Sequence, residues 1–228
     1  MSAQPQRIGL ASRWAGRPAA AVEILLVLLI TAGHRIFRII PIDETYPILA
    51  LGGLSLWLRG IGWRGVGLAR PASWKRALLL GIALGVFLQV LSEFVTEPLL
   101  TAITHQPPDV SEFKPLVGNL KLLLLYGVVV WTLAAFGEEM TYRGYLLNRA
   151  ADLGGCRRWA WIASLFFVTF LFGFGHSYQG LTGMIDTGIH GLLLGALYLA
   201  SGRNLWACII AHGVSDTVAL IAVFLGHL

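Results

Sequence analysis

The chain carries seven apolar runs of roughly membrane-spanning length, and no other feature restricts its fold as strongly. A bilayer core about 30 Å thick offers no water to backbone N–H and C=O groups, so each run must close its hydrogen bonds internally as a helix. The runs fall at roughly 19–40, 42–58, 76–96, 119–142, 159–176, 181–200 and 204–226. Charged residues make up 13% of the chain and hydrophobic ones 56%, too few charges to cover a water-soluble globule. No linker, repeat or low-complexity tract divides it. The expected architecture is all-α, a single polytopic transmembrane helical bundle over residues 1–228 with about seven helices, within a range of six to eight.

The first run has Glu23 near its start and His34, Arg35 and Arg38 near its end. With Arg7, Arg13 and Arg17 ahead of it, it has the outline of a secretory signal. The apolar run resumes at 36–40 without a clean small-x-small cleavage site, which favours a retained helix. Basic residues collect in alternate connections: Arg7, Arg13 and Arg17; then Arg59, Arg64, Arg70, Lys75 and Arg76; then Arg149, Arg157 and Arg158; then Arg203. The positive-inside rule puts these in the cytoplasm, with the N-terminus inside and the C-terminus outside, and the compact chain is expected in a plasma membrane. This spacing makes the net charge of +5 a topology signal and not a nucleic-acid patch. Cys156 and Cys208 are too few for a disulfide framework and are expected as free thiols.

Residues 136–149, FGEEMTYRGYLLNR, put Glu138, Glu139 and Arg143 at the end of an apolar run. Each ionised side chain near a helix centre costs roughly 2.5–3.5 kcal/mol on insertion scales, so such a group marks a functional site. Further polar groups share the membrane: His176, Asp186 with His190, and His212 with Asp216. Glu139 and Arg143, four apart, stack as an ion pair on one helical face, while Glu138 points about 100° away and stays free. A free glutamate meeting His176 across the bundle can hold a water and take its proton. Asp216 can orient His212, whose other ring nitrogen then donates to a developing oxyanion. Counting at about 1.5 Å per residue sets His176 some 27 Å from Arg158 but Glu138 only about 17 Å from Arg149, so the two meet only through tilted helices or a sunken turn.

These motifs together resemble the CPBP intramembrane proteases, which include the CAAX prenyl endopeptidases. Glu138, Glu139 and Arg143 match Glu-Glu-x-x-x-Arg, Phe172 and His176 match Phe-x-x-x-His, and His212 and Asp216 match His-x-x-x-Asn/Asp, within residues 118–220. The resemblance implies that Glu138 and His176 activate water, that His212 and Asp216 stabilise the oxyanion, and that Glu139 and Arg143 support the site. Asp216 stands where the eukaryotic branch usually has Asn, and an ionised Asp cannot donate. Phe172, Asp186 and His190 are candidate substrate-cavity residues, although for Asp186 and His190 the favoured reading is that they satisfy each other across one turn.

No cofactor is expected. Zinc is the alternative, disfavoured because Arg143 stands a turn away from the glutamates, where a second ligand would lie. The expected function is an endopeptidase cutting a membrane-tethered protein or peptide near the cytoplasmic side, with the lipid bilayer as its other partner. The alternatives are a non-catalytic bacteriocin-immunity or scaffold protein and a proton-coupled transporter.

Overall fold

A computed structural model describes residues 14–227; the expected contributions of Arg7 and Arg13 lie outside the described residues. The chain forms α1 (Arg17–Arg35), α2 (Thr45–Leu58), α3 (Trp74–Thr104), α4 (Leu120–Leu153), α5 (Arg158–Gly175), α6 (Gly180–Ala200) and α7 (Leu205–Phe224), with no strand among the described residues. All but α2 are long and apolar enough to cross a membrane. The polytopic helical bundle expected from the sequence is therefore present. Phe94, Leu124 and Phe170 are 73%, 64% and 66% exposed, a side-chain belt suited to lipid.

Where boundaries differ from the apolar runs, polar contacts account for it. The second run is expected from residue 42, but α2 starts at Thr45 and has only 14 residues. Asp43 and Glu44 instead accept hydrogen bonds from Arg35, at 3.0 and 2.8 Å, and the Asp43 carboxylate also accepts from the Thr45 N–H. Residues 97–104, expected in a loop, continue α3, because Pro98 sits in the first turn after a widened segment, Ser92–Thr96, where it needs no donor. The fourth run is expected to end at 142, yet α4 continues to Leu153 with every residue from 139 to 151 buried.

That extension narrows the depth difference between Glu138 and His176. Arg149 is not a loop residue facing headgroups; it is fully buried and forms a bidentate pair with Glu23 of α1, both contacts at 2.8 Å. Tyr145 donates to the same carboxylate at 2.8 Å. The inner end of α4 is thus at Leu153, about 22 Å from Glu138 at α-helical rise, nearer the roughly 27 Å from Arg158 to His176. Glu23, costly in an apolar span, exists as the partner of Arg149, and this pair locks α1 into the bundle.

Small residues set the closest helix contacts. A Cβ on Gly85 of α3 would stand 2.5 Å from the Ala211 carbonyl of α7, one residue before His212. A Cβ on Gly191 of α6 would stand 2.9 Å from the Phe172 ring of α5. Gly81, Gly85, Gly191 and Gly195 therefore act in packing, and that packing places His212 and Phe172.

Hydrogen bonds sort the connections to two ends of the bundle. At one end Leu205 N–H donates to Gly67 C=O, Asn204 to Ala69 C=O and Tyr198 OH to Val66 C=O, while Arg59 pairs with Asp152 at 3.0 Å. At the other end Asp109 N–H donates to Gln179 C=O, Gly118 N–H to Phe224 C=O, and Thr182 OH to Gln106 C=O.

Candidate active site

The middle of α4, Val130–Leu147, is wound with i→i+5 hydrogen bonds in place of the α-helical pattern expected for it. Wide turns of this kind are uncommon and concentrate at functional sites. With more than 3.6 residues per turn, Glu138 and Glu139 diverge by less than the 100° expected from α-helical geometry. Residues four apart come closer to eclipsing, and Arg143 donates to Glu139 Oε1 at 2.7 Å with both side chains fully buried. The expected ion pair is formed. Arg143 also donates to the Gly191 carbonyl at 3.0 Å and lies 4.4 Å over the Phe172 ring.

Glu139 has a second task, one expected of Asp216. His212 Nδ1 lies 2.9 Å from Glu139 Oε1, whereas its Nε2 is 3.5 Å from Asp216 Oδ2. Glu139, held by Arg143, is therefore the carboxylate that orients His212. The hydrogen on Nδ1 points to Glu139, so Nε2 donates to another group only when the ring is an imidazolium. Asp216 stands beside that nitrogen as a counter-charge.

His176 closes α5, and its Nδ1 lies 2.8 Å from the Phe172 carbonyl. A carbonyl only accepts, so Nδ1 carries the hydrogen and the neutral ring presents its Nε2 lone pair. Phe172 is 1% exposed and makes an edge contact with Tyr142 at 4.9 Å and a tilted contact with His176 at 5.0 Å. Its part is positioning as much as lining: its carbonyl fixes His176 and its ring supports Arg143.

Glu138, His176, His212 and Asp216 all line one cavity of about 330 Å³. Glu138 Oε2 is buried without a hydrogen-bond partner, the arrangement of a carboxylate facing a site that a water or substrate fills. Asp186 and His190 line the same cavity and pair across one turn at 3.8 Å between Oδ2 and Nε2, too long for a hydrogen bond. Asp186 accepts instead from Ser92 at 2.6 Å and from Thr96. Ser92 and Glu97, not among the expected site residues, also line the cavity. Their signal was the polar interruption SEFVTE in an otherwise apolar run.

As for metal binding, His34, Asp43 and Glu44 bring three ligand atoms within 4.8 Å of one another, but Arg35 donates to both carboxylates. Glu138, His176 and His212 do not form such a three-ligand group among the described residues.

Residues 120–218 match the family described as type II CAAX prenyl endopeptidase, Rce1-like. Over this segment the chain is similar to the Rce1-like family. No curated protein and no solved structure is similar enough to the chain to match it. The Rce1-like segment coincides with α4–α7 and contains Glu138, Glu139, Arg143, Phe172, His176, His212 and Asp216. The match and the six long apolar helices together describe a multi-pass membrane protein whose second half is similar to a CAAX-type endopeptidase. Outside that segment, α1–α3 contribute Glu23 to the Arg149 pair and Ser92 and Glu97 to the cavity wall.

Proposed function

We propose that the protein is a glutamic-type intramembrane endopeptidase hydrolysing a peptide bond in a membrane-tethered protein or peptide. The supporting observation is the partnerless buried oxygen of Glu138 in a cavity that also holds His176 and His212. Glu138 takes a proton from a water whose oxygen attacks the scissile carbonyl carbon. His176, with Nδ1 committed to Phe172, offers Nε2 as a second acceptor that holds this water in line. The C=O electron pair moves onto oxygen, and the oxyanion accepts from Nε2–H of His212, held by Glu139 and Arg143. Collapse of the tetrahedral intermediate breaks the C–N bond, and the proton held by Glu138 passes to the leaving nitrogen. Asp216 balances the charge on His212 while the site is empty of substrate.

Catalysis without metal is part of this proposal. Glu139 has its Oε1 engaged by both Arg143 and His212, and the fixed positive charge of the Arg143 guanidinium beside it opposes a divalent cation there. Metal content of the purified protein, with activity after chelation, tests this point. Stoichiometric zinc with chelator-reversible loss of activity would overturn it. The scaffold alternative has its own test: a host phenotype that persists in Glu138→Gln at wild-type expression would favour it.

A further inference from the structure

We propose that the catalytic cavity opens on the extracytoplasmic face, so that the enzyme cuts an extracytoplasmic segment of a membrane-anchored or exported polypeptide. This rests on the proteolytic reading above for its substrate and on the bundle's two ends for its sidedness.

The basic end is built from the connections at 59–73, 154–157 and 201–204, tied together by the Leu205–Gly67, Asn204–Ala69 and Arg59–Asp152 contacts. It carries Arg59, Arg64, Arg70, Arg157 and Arg203, with Lys75, Arg76 and Arg158 in the adjoining first turns of α3 and α5. The opposite end, formed by 36–44, 105–119 and 176–179, has only Arg38 and Lys114, with Arg35 and Lys121 in the adjoining turns of α1 and α4, four cations against eight. Short loops rich in Lys and Arg remain in the cytoplasm, so the second end faces outward.

The cavity belongs to that second end. Pro108, Val110 and Phe113 of the 105–119 connection line it, as do Tyr178 and Gln179 of the turn after His176. No residue of the 59–73, 154–157 or 201–204 connections does. On the cytoplasmic side the cavity is closed by the wholly buried stretch of α4 from 139 to 151 and by the Glu23–Arg149 pair. An N-terminus inside and a cut near the cytoplasmic side are thus incompatible in this fold. The loop charges favour the first.

Sidedness is read directly by thiol labelling with a membrane-impermeant maleimide in the native host. Cys156 is exposed in the basic turn and Cys208 is buried, so Cys156 reports the first end. Ser111→Cys, at an exposed position of the 105–119 connection and made in a Cys156→Ser background, reports the cavity end. The expected result is labelling of Ser111→Cys in intact cells, and loss of Cys156 labelling unless the membrane is permeabilised. Any other pattern, reversed or equal at the two ends, overturns the orientation. Labelling does not depend on turnover, so an inactive enzyme with the expected pattern would refute only the proteolytic reading. If turnover holds, the protein termini that disappear in Glu138→Gln must map to extracytoplasmic segments, and cytoplasmic ones would refute the substrate assignment.

Discussion

Replacing Arg143 by Ala is expected to destabilise the bundle and to misplace His212. The guanidinium is fully buried and donates to Glu139 at 2.7 Å and to Gly191 C=O at 3.0 Å, while its carbon lies 4.4 Å over Phe172. Its removal leaves the buried Glu139 carboxylate with His212 as its remaining hydrogen-bond partner. Breaking a buried pair by removing one partner costs about 3–5 kcal/mol. At about 2–4 °C per kcal/mol for a chain of this size, the midpoint of thermal unfolding in detergent should fall by roughly 6–20 °C. Arg143→Lys keeps the charge but lacks the fork that serves Glu139 and Gly191 together, so it should lie between wild type and Ala. Combining Arg143→Ala with Glu139→Gln should recover part of the loss, since the uncompensated charge is then gone. A shift below about 2 °C for Arg143→Ala, or strictly additive losses in the double variant, would refute the clamp as drawn.

His212→Gln should lower kcat by roughly 10²–10³ through loss of an oxyanion donor, with a smaller effect on KM. Asp216→Asn should retain most turnover, because an amide of the same shape can itself donate to the oxyanion; a complete loss would make the Asp216 charge essential. Gly85→Leu should cost about 1–3 kcal/mol and lower activity, since the new side chain pushes against the Ala211 carbonyl next to His212. The Cys156 thiol is held above the ordinary thiol range by partial burial first and then by its hydrogen bond to Asp152 and that carboxylate's charge. The thiolate is the reactive form, so maleimide reaction in permeabilised membranes should be slow near neutral pH and rise as pH increases. Asp152→Asn should speed it at neutral pH, and an unchanged rate would contradict this cause.

Much of this could be read from the chain because a bilayer leaves few options. Apolar run length gave six long spans and a seventh that proved short, and the costly Glu139 and Arg143 found each other at the expected spacing. The rest depended on contacts distant in sequence. Arg149 read as a loop cation because nothing local shows that Glu23, 126 residues earlier, waits inside the membrane for it. The His212–Glu139 contact spans 73 residues and takes the orienting role on Nδ1, while the local pairing with Asp216 persists at 3.5 Å on Nε2. The widening of α4 is invisible to a periodicity of 3.6. Asp186 looked self-contained with His190, and only the fold brought Ser92 and Thr96 of α3 to it.

The account turns on Glu138 as the base, so the most direct measurement compares protein N- and C-termini in the native host carrying wild type or Glu138→Gln at equal expression. The exchange keeps the side-chain shape and should leave thermal stability unchanged while turnover falls by roughly 10²–10⁴. A defined set of termini should vanish in the variant, identifying both the activity and its substrates. Identical termini in the two strains, with the variant folded and at wild-type abundance, would contradict a protease driven by Glu138.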